Sequence, residues 1–219
     1  MEFTHDNRYA PIELEATTTP DGRKYQTPSG ELYESVTTAL GRNPEKKKSL
    51  MEWRQRVGDK EANRISRLAS TRGTAMHTIC ENYLNNEEDY IGKSMPNAIE
   101  MFRAIQPILD KAITKIYMQE CSLFSDKYRL AGRVDCIADI MGKLTVVDFK
   151  TSMKVKKREW VKDYYLQTSA YTFMFEEMYG DKVDQILILI AVQDDNPQVF
   201  TGDPYKYIED EFFTNRIEE

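Results

Sequence analysis

From Leu130 to Ile140 apolar and polar residues roughly alternate, and from Leu144 to Phe149 a β-branched run follows, with Met141, Gly142 and Lys143 between them. That pattern predicts an antiparallel hairpin. A second hairpin is expected over 23–36, turning at Pro28, Ser29 and Gly30, after a loop at 6–22. Ser35 is placed to cap a short helix that stops near Gly41, and Pro44 opens the next segment. Apolar spacing near 3.6 residues predicts helices over 45–57, 60–69 and 73–84, and a longer one over 96–117 interrupted at Pro107. Strands are expected at 118–124 and 185–193, with a helix at 159–179 between them and a helical tail over 205–216. The core order is therefore αβββαβ, an α/β arrangement in a single domain spanning 1–219. Its parts are an N-terminal hairpin with basic helices to residue 70, a core over 71–193 and a C-terminal extension over 194–219.

Composition fits that picture, since 219 residues at 41 % hydrophobic can bury a real core. The longest apolar run, Ile186 to Val192, is far short of the roughly 18 residues a membrane span needs. The opening residues MEFTHDNRY lack the basic and apolar regions of a signal peptide, which predicts a cytoplasmic protein with no membrane partner. Cys80, Cys121 and Cys136 are odd in number and sit in unrelated contexts, so no disulfide framework is expected.

A net charge of −6 argues mildly against binding a polyanion, but the distribution reverses that impression. Ten Lys or Arg oppose four Asp or Glu between Arg42 and Arg72, and seven oppose two between Lys143 and Lys162. A basic surface on an acidic body can focus an anionic polymer. Within those stretches Arg54, Arg72, Lys154, Lys156, Lys157 and Arg158 are candidate phosphate contacts, and Trp53 and Trp160 are candidate stacking platforms.

The candidate chemistry lies on the central hairpin. Asp135 and Asp148 are nearly equidistant from its turn, so the two carboxylates come roughly opposite each other. Converging like charges destabilise a sheet unless a cation offsets them, and Mg²⁺ takes one or two carboxylates together with phosphate oxygens. Lys150 adds a positive charge beside the pair that suits a scissile phosphate or an attacking water. On the preceding helix, His77 and Glu81 share one face, as Gln167 and Tyr171 do on the following one.

Asp135 on one strand, Asp148-Phe149-Lys150 on the next, His77 within Arg72-Gly73-Thr74-Ala75-Met76-His77, and Gln167 to Tyr171 (QTSAY) together resemble the PD-(D/E)xK nuclease superfamily. Within it the chain looks most like the RecB-like exonucleases, in particular the mitochondrial genome maintenance group and its phage relatives. The resemblance runs from the hairpin at Arg23 to about Val192. It implies a restriction-endonuclease-like core, with a central mixed sheet flanked by helices.

It also implies a site. His77, Asp135, Asp148 and the Phe149 carbonyl would hold Mg²⁺ or Mn²⁺, with Lys150 catalytic and Glu120 in support. Gln167, Tyr171, Thr151 and Ser152 would join the basic residues in contacting DNA. An iron–sulfur cluster, found in some relatives, is not expected, because three cysteines are too few for the usual four. The expected activity is a metal-dependent DNA exonuclease acting on single strands or ends in replication, recombination or repair. A phage origin would place it in the host cytoplasm, with a single-strand annealing or binding protein as candidate partner. Two alternatives stand beside it: a structure-specific flap or branch endonuclease, and a catalytically idle DNA-binding subunit.

Overall fold

The computed structural model describes residues 2–217. Eight strands form one mixed sheet. The N-terminal part supplies β1 (Ala16–Thr19), β2 (Gly22–Gln26) and β3 (Leu32–Ser35), paired as an antiparallel meander. The β2–β3 hairpin turns where Pro28 to Gly30 predict it, whereas β1 replaces part of an expected loop. Thr17, Thr18 and Thr19 are β-branched, but a run this short carries no periodicity to announce a strand.

Ser35 then caps α1 (Val36–Gly41), its Oγ accepting from the Thr38 N–H at 3.1 Å. Asn43 does the same for α2 (Pro44–Val57). The helices expected at 60–69 and 73–84 are instead one 26-residue helix, α3 (Asp59–Leu84). A mid-helix glycine costs only about 1 kcal/mol. The C-terminal half of α3 offsets that at Gly73 by burying Met76, Ile79, Cys80, Tyr83 and Leu84. By contrast α2 buries no residue, so it lies outside the core layers.

A second correction concerns α4 (Pro96–Ala112), which ends five residues before the expected boundary despite carrying Pro107 internally. The β-branched Ile113, Thr114 and Ile116 begin β4 (Ile113–Ser125) at once. The central hairpin follows as β5 (Leu130–Ile140) and β6 (Lys143–Ser152), and Met141 and Gly142 in its turn both adopt positive φ, 55° and 83°. A short 3₁₀ turn leads into α5 (Lys162–Tyr179), then come β7 (Gln185–Val192), the unforeseen edge strand β8 (Gln198–Gly202) and α6 (Glu211–Ile217).

β5 organises the sheet. One of its edges pairs antiparallel with β4 along almost the whole length. The other is shared, with β6 pairing Cys136 to Ile140 and β3 pairing Leu130 and Ala131 in parallel. Between these two pairings lies the stretch from Gly132 to Asp135. Beyond β6, β7 runs parallel to it and β8 antiparallel to β7.

Strict alternation on β7 shows the layers. Ile186, Ile188, Ile190 and Val192 pack with α1 and α5 on one face, while Leu187, Leu189 and Ala191 pack with α3 and α4 on the other. On β5 the alternation slips: Val134 packs with the α5 side, yet Cys136, two residues on, packs with the α3–α4 side. The strand therefore rolls at Asp135. Opposite it on β4, Glu120 has a φ of 43°, a strained value for a residue with a side chain.

Candidate active site

Backbone pairing of β5 with β6 extends from the turn to Cys136 and Val147. Asp135 and Asp148 are the next residues on each strand, where the ladder ends. There the Phe149 N–H donates to Asp135 Oδ2 at 2.7 Å, a side chain taking over from the backbone. Asp148 is 1 % exposed and faces Lys150, whose Nζ lies 2.6 Å from Oδ1 and 2.5 Å from Oδ2. Both side chains sit on the α5 side, with the Lys150 ammonium 5.3 Å from the Tyr164 ring centroid.

His77 reaches the site from α3. Its Nε2 lies 2.7 Å from the Phe149 carbonyl, and a carbonyl only accepts, so Nε2 carries a proton. Nδ1 thereby points at Asp135 Oδ1, 3.5 Å away, and at Glu120 Oε1, 3.9 Å away. One ligand atom from each of His77, Glu120 and Asp135 falls within 4.8 Å of the others. The strained backbone at Glu120 and the roll at Asp135 bring the two carboxylates to this point. Arg133 completes the arrangement, its Nε donating to Glu120 Oε2 at 3.0 Å while Nη1 reaches Glu13 at 3.1 Å.

The electrostatics are those of carboxylates crowded out of water. Burial raises Asp148 to about 6, against the pull of Lys150 and with a push from Asp135. Burial also raises Glu120 to about 6, again helped by Asp135. His77 is drawn down by burial, but the Asp135 charge and hydrogen bond outweigh this and lift it to about 9. Lys150 is likewise opposed by burial and raised by Asp148 and Asp135, so it stays charged. Asp135 is held below its ordinary value by His77 and Lys150 despite the burial that opposes them.

This donor set fits a hard divalent cation. Two carboxylates and an imidazole suit Mg²⁺ or Mn²⁺, and a ligating histidine characteristically donates its other N–H to a carbonyl, as Nε2 does here. Asp148 Oδ2 is buried beside Lys150 Nζ without a well-directed hydrogen bond, leaving acceptor capacity at the site. Three of the residues named from the sequence, His77, Asp135 and Glu120, come together as one cluster. Asp148 and Lys150 adjoin it as an ion pair, and the Phe149 carbonyl, expected as a ligand, is taken up by His77.

The expected DNA contacts divide. Lys154, Lys157, Arg158 and Trp160 are exposed on the loop leaving β6, with Lys157 Nζ 5.3 Å from the Trp160 ring, and Lys156 is half-buried beside them. Thr151 is half-buried at the strand end. Ser152 is buried and spends its hydroxyl on the Lys154 carbonyl at 2.6 Å. Gln167 and Tyr171 share one face of α5, as their spacing predicts. Both are buried, with Gln167 Nε2 donating to the Tyr171 hydroxyl at 3.2 Å, and the ring fills the space that Gly132 leaves open. Arg54 is engaged by Asp59 and Asn63, which ties α2 to α3, and Trp53 is half-buried on the same helix. Arg72 is buried.

Beside the cluster lies a cleft of about 380 Å³ lined by Arg23, Gly73, Thr74, His77, Thr78, Glu81 and Glu120. Glu81 thus joins the site as its spacing from His77 suggests. Arg23 and Arg133 were not foreseen. Arg133 adjoins the motif residues but nothing in its spacing marks it, and Arg23, on β2, lines the cleft together with α3 residues distant from it in sequence. A larger hollow of about 670 Å³ at the α2–α3 junction, lined by Val57, Asp59, Arg64 and Arg67 among others, touches none of these groups.

A histidine and two carboxylates converging where two strands part, next to a strand-borne Asp-Phe-Lys, define a nuclease core. Residues 46–215 match the PD-(D/E)XK nuclease superfamily, and the chain belongs to it. It is also similar to mitochondrial genome maintenance exonuclease 1 of Mus musculus, 28 % identical over 174 residues that cover 74 % of this chain and 51 % of that protein. The chain thus spans about half the length of that relative. No helix among the described residues is long and apolar enough to cross a membrane.

Proposed function

We propose that the chain is a divalent-metal-dependent deoxyribonuclease that removes nucleotides from single-stranded DNA or DNA ends, serving replication, recombination or repair. The observation that carries this reading is the convergence of His77, Glu120 and Asp135 beside the Asp148–Lys150 pair. The similarity to an exonuclease supports the mode of attack, and the basic loop after β6 supports a DNA substrate. Phage origin and action in the host cytoplasm belong to the same proposal.

His77, Glu120 and Asp135 would hold Mg²⁺ or Mn²⁺, with Asp148 adjoining. Such a cation supplies charge neutralisation at a scissile phosphate and a lowered pKa for the attacking water. The protein's own groups do the rest. Phe149 fixes Asp135 through its N–H and His77 through its carbonyl, so one residue orients two donors. Arg133 holds Glu120 by one oxygen and leaves the other facing His77. Lys150, kept protonated by Asp148, presents an ammonium to a phosphate oxygen, which favours charge stabilisation over proton abstraction. Exposed Lys154, Lys157 and Arg158 guide the strand electrostatically.

The test uses one single-stranded oligonucleotide with free ends and the same sequence with both ends blocked, in Mg²⁺, in Mn²⁺ and in EDTA. Degradation of the free-ended strand is expected with a divalent metal and not in EDTA. Cleavage of the blocked strand would convert the reading to an endonuclease, and absence of cleavage of either in Mg²⁺ and Mn²⁺ would refute it.

A further inference from the structure

Arg72 is 7 % exposed and has no carboxylate partner among the described residues. Its hydrogen bond runs from Nη1 to the Met153 sulfur at 3.0 Å, and its Nε is buried with no partner. A guanidinium does not escape this by losing its proton. A thioether is a weak acceptor, so the cost of removing the charge from water is left uncompensated. Other arginines of the chain differ, since Arg54, Arg64 and Arg133 each meet a carboxylate within 3.1 Å. Burial draws the Arg72 pKa down with no opposing group.

Its position says what is missing. Arg72 stands on α3 five residues before His77, and its contact, Met153, follows Lys150 by three residues. At Gly73 next to it, a Cβ would lie 3.8 Å from Thr151 Oγ1, so helix and strand end run in contact here. The guanidinium thus sits between the element that bears His77 and the one that bears Lys150. Met153 is 52 % exposed, and its unbranched side chain can swing aside at small cost.

We propose that Arg72 is the receptor for one phosphate of the substrate strand, next to the scissile one, and that Met153 is its displaceable cover. The inference rests on the nuclease reading and names a phosphate subsite within it. A planar fork with five donors matches phosphate oxygens in pairs, which a thioether cannot do. The unpaired charge is tolerated in the free protein because the DNA brings the counter-charge.

The experiment measures binding of a single-stranded oligonucleotide in Ca²⁺, and again with a neutral methylphosphonate placed at each position in turn, for the wild type, Arg72→Met and Arg72→Lys. Arg72→Met is expected to bind about 10- to 100-fold more weakly. Its slope of log affinity against log salt should fall by about 0.7, one phosphate's share on a single strand. Arg72→Lys should keep the slope and lose the pairwise hydrogen bonding. One methylphosphonate position should weaken the wild type and leave Arg72→Met unaffected. Without DNA, Arg72→Met should melt at or above the wild-type temperature, because it removes a buried unpaired charge.

The proposal is overturned if wild type and Arg72→Met lose affinity equally at every methylphosphonate position. It is also overturned if Arg72→Met melts well below wild type while binding DNA as tightly. Failure of the wild type to bind or cleave DNA at all would instead strike the nuclease reading.

Discussion

Replacing Lys150 with alanine removes the only cation within hydrogen-bonding distance of Asp148 among the described residues. A carboxylate 1 % exposed then has no opposite charge beside it. Breaking a buried pair from one side costs about 3–5 kcal/mol, but the carboxylate can escape by taking up a proton. That escape costs about 1.4 kcal/mol for each pH unit above the unfolded value of 3.8, so roughly 6 kcal/mol at pH 8 and under about 2 at pH 5. Lys150→Ala in EDTA should therefore lose about 3–5 kcal/mol at pH 8 and less than about 2 at pH 5, read by urea denaturation at both pH values. The same variant should not cleave DNA in Mg²⁺. Equal stability of variant and wild type at pH 8 would refute the buried pair, and substantial cleavage by a pure preparation would refute the role of Lys150.

Three further perturbations separate packing, electrostatics and substrate binding. Gly132→Ala places a Cβ 2.6 Å from Tyr171 Cε1 and should destabilise by about 1–3 kcal/mol, much of which a second substitution, Tyr171→Ala, relieves relative to Tyr171→Ala alone; thermal denaturation of the four proteins checks it. His77 has a folded pKa of about 9 against 6.5 unfolded, so its contribution, up to about 3 kcal/mol, is complete below pH 6.5 and lost as pH rises through 9; the melting temperature in EDTA should fall over that window and Mn²⁺ should reverse the fall. Arg23→Ala removes a cation from the lining of the cleft that His77 and Glu120 share and should raise KM roughly 2- to 10-fold with little change in kcat, measured by steady-state hydrolysis of a labelled single strand.

The sequence displayed much of this because the central hairpin obeys local rules. Its alternation, its Met-Gly turn and the placement of Asp135 and Asp148 near its open end all follow from a period of two and a turn position. Ser35 and Pro44 are legible for a similar reason, since a helix start is a local event. What escaped depends on distant parts of the chain. Glu120 lies in a left-handed conformation that glutamate does not favour, so no propensity could signal it, although its proximity to the metal-ligating set was expected from the resemblance.

Gln167 and Tyr171 are legible only in part. Their spacing placed them correctly on one helical face, but that face turns inward against Gly132, a fact fixed by packing across the sheet. The continuity of α3 through Gly73 was hidden for an energetic reason, a small local penalty overridden by burial further along the helix. Arg23 belongs to a hairpin whose own sequence carries no hint that it lines a cleft with α3 residues, and Arg72, expected as a phosphate contact from its basic stretch, shows its burial only in the structure.

If His77, Glu120 and Asp135 together hold a divalent cation, as proposed, that binding cannot survive loss of the Asp135 carboxylate. Calorimetric titration of Mn²⁺ into the wild type and into Asp135→Asn, both freed of metal with EDTA and dialysed, tests it most directly. Saturable binding by the wild type and its loss in Asp135→Asn are expected, with both proteins equally folded by circular dichroism. Equal Mn²⁺ affinity in the two proteins would contradict it.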